Sequence, residues 1–137
     1  MQLPWLAIFA ASAASWIFGA LWYGVFGRAW AAGFGFSFDK PDGAQKKGPP
    51  VFALILSFVA EIAIAATLAG VLTHIAGAQF SMTSALVSGG FVWLGFIAPT
   101  LATNYAYQKR PWRIWAIDGG HWLGVAMLQA FTLARMA

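Results

Sequence analysis

The sequence predicts an all-α integral membrane protein, a four-helix bundle with short loops, on three observations. Four apolar stretches take up most of the 137 residues, each able to supply the ~20 residues that cross a hydrocarbon core. The chain is 61% hydrophobic and only 9% charged, against about 25% charged residues in a soluble domain. Lys and Arg gather in two of the three connections. At this length the spans form one domain, residues 1–137.

The first span covers about residues 3–26. It has no basic segment before it and is too long for a signal-peptide core, so it reads as a retained helix. The second, 51–76, starts behind Pro49-Pro50, where the first-turn N–H has no partner to lose. The third covers 82–105 and contains Pro99, which removes a backbone hydrogen bond and predicts a kink. The fourth covers 113–133. Small residues Ala7, Ala11, Ser15 and Gly19 form a stripe on the first span, and Ser88, Gly89, Gly90 and Gly95 mark the third. Such residues let helices approach closely in lipid, so they are assigned to helix contacts.

The connections set the orientation. Loop 27–50 carries Arg28, Lys40, Lys46 and Lys47 against Asp39 and Asp42, and loop 106–112 with its flank adds Lys109, Arg110 and Arg113. The connection 77–81 has no charge. The positive-inside rule then places both basic loops in the cytoplasm and both termini outside, on the periplasmic side of a bacterial inner membrane. Seven of the eight cations obey, and Arg135 does not. Within the long loop, residues 28–38 interleave aromatic and small residues and read as an interfacial segment, followed by a turn-rich linker. Lys46 and Lys47, with Arg110 and Arg113, are candidate lipid-headgroup or cavity-mouth contacts. The abundant Trp and Phe fit aromatic belts at the membrane surfaces.

Composition also excludes. The pI near 9.9 comes from cations dispersed over loops, with no dense stripe of the kind nucleic acid requires. With no Cys, disulfides, thiolate metal sites and a cysteine nucleophile are impossible. There is no HExxH motif, nucleophile elbow or phosphate loop. His74 and His121 fall at opposite depths, which rules out a bis-histidine haem and leaves only a single axial histidine open. No cofactor and no metal are expected.

Ionisable residues inside a span are rare and are functional hypotheses by default. Glu61 falls near mid-membrane, Asp118 about one turn inside the fourth helix, and His121 follows at i+3 on the same face. With Tyr23 and Asn104 they form a candidate buried polar cluster in the cytoplasmic half, open to a cavity. The alternative stands beside it: Asp118 pairs with Arg110 or Arg113, and His121 serves as packing glue. Glu61 must be protonated, paired or facing water.

The run Gly19-Ala20-Leu21-Trp22-Tyr23-Gly24-Val25-Phe26-Gly27-Arg28-Ala29-Trp30 resembles the GALWYSP…FGKxW signature of a family of small bacterial membrane proteins. That family is known as domain of unknown function seventeen sixty-one. Trp93-Leu94-Gly95-Phe96 with Thr100, Thr103-Asn104-Tyr105 and Arg110-Pro111 is similar to its third-helix block. Ile117-Asp118-Gly119-Gly120-His121 resembles its fourth, which reads closer to I-N-A-G-Y-H. The chain departs from the pattern with Asp118 in place of Asn, and with Gly24 in place of a small polar residue before Pro. The resemblance implies a four-helix membrane protein and no activity.

The expected function is non-enzymatic. The protein reads as an accessory subunit of a larger membrane complex, or as a homo-oligomeric scaffold. Its expected partners are the bilayer and either a membrane protein or further copies of itself, with no nucleic acid. The alternative is a small proton- or cation-coupled transporter using Glu61, Asp118 and His121. A third reading is an enzyme acting on lipid or quinone.

Overall fold

A computed structural model describes residues 3–35, 49–77 and 79–137. Four helices follow one another: α1 (Trp5–Gly33), α2 (Val51–Ala76), α3 (Met82–Tyr107) and α4 (Trp112–Met136). The described residues contain no strand. The protein is an all-helical membrane bundle.

Three of the helices, α1 to α3, are both long and apolar enough to cross a membrane. The fourth is long enough, its 25 residues rising about 37 Å at 1.5 Å each. It is less apolar because it carries Asp118, His121 and Gln129, and all three are buried against the other helices. The surface shows the opposite chemistry. Leu6, Val25, Phe52 and Phe96 are each about three-quarters exposed. An apolar exterior over a partly polar interior is the arrangement a lipid solvent selects.

Helix ends follow local chemistry. Pro50 and Pro111 stand at the N-caps of α2 and α4, positions where the missing N–H costs nothing. Ser81 caps α3, its Oγ accepting from the Ser84 N–H at 3.0 Å. At the end of α2, Gly77 takes φ +79°, a left-handed conformation open to glycine. The turn between α3 and α4 places Lys109 at φ +54°.

Two local expectations are revised. Residues 27–33, expected as the start of a loop, continue α1 for seven residues beyond Phe26. The Arg-Ala-Trp-Ala-Ala run contains no helix breaker, and Gly33 packs so close to α4 that a Cβ there would lie 2.5 Å from Ile114. Pro99 acts through a π-helical turn, Trp93–Ile97, that precedes it. The Ala98 N–H reaches back five residues to the Trp93 carbonyl, a register shift that accommodates the donor missing from the next residue.

Helix α4 is the hub. It packs about equally on α1 and on α3 and touches α2 more sparingly, while α2 leans on α1. The main apolar core lies toward the end where α1 begins and α2 and α4 finish. Ala7, Ile8 and Ala11 meet Ala65, Leu68, Ala69 and Leu72 there, together with Ala130 and Leu133. Lys46 and Lys47 lie outside the described residues.

Candidate functional site

The interface of α1 and α4 holds two carboxylate centres rather than one cluster. Asp118 and Gln129 are eleven residues apart on α4, about 16 Å along the axis, and each anchors a separate set of hydrogen bonds.

At the first centre Asp118, 7% exposed, is reached from two neighbouring helices. Tyr23 on α1 donates its hydroxyl to Oδ1, and Tyr105 on α3 donates to Oδ2. The Trp30 indole N–H approaches Oδ2 at 3.3 Å. Tyr23 and Trp30 are seven residues apart, two turns, and so share a helix face. All three contacts are donors, which suits a carboxylate that only accepts. The cations expected as partners lie elsewhere: Arg110 sits 4.7 Å over the Phe34 ring, and Arg113 is exposed. Asn104 is exposed on α3 and stands outside the centre. Tyr105, one residue on and about 100° round the helix, occupies the place the sequence suggested for it.

The second centre surrounds Glu61, 2% exposed, at the eleventh position of α2. Its Oε2 accepts from the Ser15 hydroxyl at 2.7 Å and from the Gln129 amide at 2.8 Å. The same amide nitrogen lies 3.0 Å from Ser15 Oγ and 3.1 Å from the Glu61 carbonyl. An amide has only two hydrogens to give, so these contacts share them. One side chain from each of α1, α2 and α4 therefore closes the centre. Gln129 thus bonds across helices. Thr100 instead turns back to the Phe96 carbonyl of its own helix.

His121 lies between the two centres, 7% exposed. Its ring stacks on Phe18, centroids 6.0 Å apart at 7°, and stands 5.0 Å from the Tyr23 ring. Gly19 makes room for it, since a Cβ there would come within 2.9 Å of His121 Nε2. The imidazole Nδ1 and the Gln129 Oε1 are buried with no hydrogen-bond partner among the described residues.

Indole groups strap the helices around these centres. Trp22 donates to the Ile117 carbonyl at 3.0 Å, Trp93 to Gly119 at 2.8 Å and Trp115 to Ala98 at 2.9 Å. Trp16 bonds Ser57 at 2.9 Å. Composition suggested a membrane-surface belt for the tryptophans; these four are spent between helices. Gly120 permits one of the straps, because a Cβ there would meet the Trp22 ring at 2.9 Å.

A cavity lies on another face. A groove of about 440 Å³ opens between α2 and α3 over α4, walled by Thr67, Val71, Phe96, Thr100, Trp122 and Val125. The Thr67 hydroxyl is turned onto its own helix at 2.8 Å. Neither carboxylate lines this groove. Among the described residues no group of three or more His, Cys, Asp or Glu side chains is placed to hold a metal ion.

Sequence reasoning missed Ser15, Trp30 and Tyr105 as carboxylate partners. Ser15 was visible only as one step of a small-residue stripe. The spacing of Trp30 from Tyr23 was a usable signal for a shared face. Nothing in the sequence aims Tyr105 at Asp118, because that contact depends on how α3 leans on α4.

No curated protein and no solved structure matches the chain. The model of the family described as protein of unknown function (DUF1761) matches residues 6–134. That is nearly the whole chain, with all four helices and both carboxylate centres inside the match, and the chain belongs to that family.

Proposed function

We propose that this protein is a non-enzymatic assembly component of the bacterial inner membrane, working through helix contacts as an accessory subunit of a larger complex or as a homo-oligomeric scaffold. The observation that carries the reading is how the polar groups are spent. Both buried carboxylates bond side chains of neighbouring helices, and the large groove is walled by other, mostly apolar residues. Interhelical hydrogen bonds of this kind hold a bundle in one arrangement. Outside, α2 offers Val51, Phe52, Ile55, Leu56 and Val59 to its surroundings, a surface suited to lipid or to another membrane helix.

In this reading Arg28, Lys109, Arg110 and Arg113 mark the cytoplasmic end, and both termini are periplasmic. A phosphatase fused at Ala137 is then active, and one fused in the 27–50 loop is silent; the reverse pattern sinks the orientation.

Native mass spectrometry of the chromosomally tagged protein in mild detergent tests the function. A defined complex, with another protein or with further copies, is expected. A bare monomer that converts a component of native lipid extract would overturn the assembly reading in favour of an enzyme.

A further inference from the structure

Buried polar atoms are almost always hydrogen-bonded, to protein or to ordered water. His121 Nδ1 and Gln129 Oε1 have no partner among the described residues, and their side chains are 7% and 0% exposed. They belong to one helix, eight residues and about 12 Å apart along its axis. Asp118 stands at one end of this seam and Glu61 at the other. Buried Val125 lies between His121 and Gln129 on α4 and the Phe18 ring packs on Gly124, so the polar groups of the seam are at its two ends and on Ser15 of α1. Orphaned buried polar atoms are the situation that internal water resolves.

The remaining geometry gives the seam a direction. His121 Nε2 lies against Gly19 of α1. One turn further along α1, about 6 Å, stands Ser15, whose hydroxyl donates to Glu61. An axial separation of one turn is within the reach of a bridging water. Beyond Glu61 the packing side chains are apolar, from Ile8 and Ala65 to Leu72 and Leu133, except Ser12, whose hydroxyl is turned onto the Ile8 carbonyl of its own helix at 2.8 Å. The titratable groups around His121 are Tyr23 from α1 and Asp118 from its own helix, with Tyr105 from α3 on the far side of Asp118. Those bonded to Glu61, Ser15 and Gln129, do not titrate in the physiological range.

We propose that the α1–α4 seam is a hydrated proton half-path that runs from the Asp118 end through His121 and terminates at Glu61. The transfer moves one proton and no electrons. The imidazole takes a proton from water on one ring nitrogen and releases the proton carried on the other. That proton passes through bridging water to the Ser15 hydroxyl, which hands its own to the Glu61 carboxylate. The apolar half beyond Glu61 stops the path, so the seam loads and unloads one carboxylate and carries no current across the bilayer. The inference goes beyond the assembly reading and stands or falls separately from it.

Hydrogen–deuterium exchange of the full-length protein in lipid nanodiscs tests the seam, using the Gln129 side-chain amide as reporter. Labelling with 15N-glutamine gives five side-chain signals, one for each Gln in the chain, and the signal lost in Gln129→Leu identifies the reporter. After correction for intrinsic rates, Gln129 is expected to exchange at least tenfold faster than the backbone amides of Leu68 and Leu72. In His121→Phe, which keeps a ring of similar size, its exchange is expected to slow at least tenfold. A native Gln129 as protected as Leu72 overturns the proposal. So does an unchanged or faster rate in His121→Phe while Leu72 stays protected. If that variant loses Leu72 protection and so fails to fold, the native comparison decides alone.

Discussion

The two halves of the bundle hold their helices together by different means. From Glu61 toward the end where α1 begins, Ala7, Ala11, Ala65, Ala69 and Ala130 let backbones approach around Ile8, Leu68, Leu72 and Leu133. From His121 toward the other end, the contacts are hydrogen bonds from Tyr23, Tyr105, Trp22, Trp30, Trp93 and Trp115 onto α4 or, from Trp115, onto α3. In a bilayer the surroundings of a helix are as apolar as leucine, so apolar burial from water contributes little to association. Close packing and interhelical polar contacts do the work instead. The packed half gains many small dispersion contacts, whereas the bonded half gains a few directional ones and fixes which face of α4 turns inward.

The largest way to break this contrast is at Asp118. Asp118→Leu removes one acceptor from three donors, and at about 0.6–1.7 kcal/mol for each interhelical bond the loss is about 2–5 kcal/mol. Asp118→Asn keeps the shape and one strong acceptor, so its cost is about 1 kcal/mol. Reversible unfolding in bicelles measures both. Equal costs for Leu and Asn would mean that the phenols and the indole find other partners.

Leu72→Ala tests the packed half. In a soluble core such a change costs about 2–5 kcal/mol, part of it from lost transfer out of water. Within lipid that part is absent, and the expected loss is about 1.5 kcal/mol. The same unfolding measurement, made beside Asp118→Leu, ranks the halves directly. A Leu72→Ala cost above that of Asp118→Leu would reverse the comparison.

The smallest effect is expected at a single strap. Trp22→Phe keeps an aromatic ring against Gly120 and loses only the N–H that reaches Ile117, for about 0.6 kcal/mol. A cost above about 2 kcal/mol would place the weight in ring packing rather than in the bond.

The sequence made the architecture legible because lipid imposes a simple requirement on composition. Span two begins behind Pro49-Pro50 as expected and span three at residue 82 as expected, within the usual uncertainty of helix ends. Helix α1 overran its expected end because the interleaved aromatics of 28–33 look interfacial in one dimension while remaining good helix formers. The intramembrane carboxylates were legible as exceptional, since Glu61 and Asp118 stand alone in apolar runs. Their partners were not. Expecting one cavity over-counted what a shared depth implies, because two residues at similar depth on different helices meet only if both faces turn inward.

By itself, then, the sequence determined that the chain is helical, membrane-embedded and arranged in four segments, and that two acids with one imidazole are its exceptional groups. The reason is that hydropathy, helix punctuation and the cost of charge in lipid are properties of residues and their immediate neighbours. Only the tertiary structure decided that Glu61 takes Ser15 and Gln129, that Asp118 takes two phenols and an indole instead of arginine, and that His121 is left between them against Gly19. Those pairings depend on helix rotation and crossing, which are set by how the small residues of α1 and α4 let the two backbones approach, and no single segment encodes that.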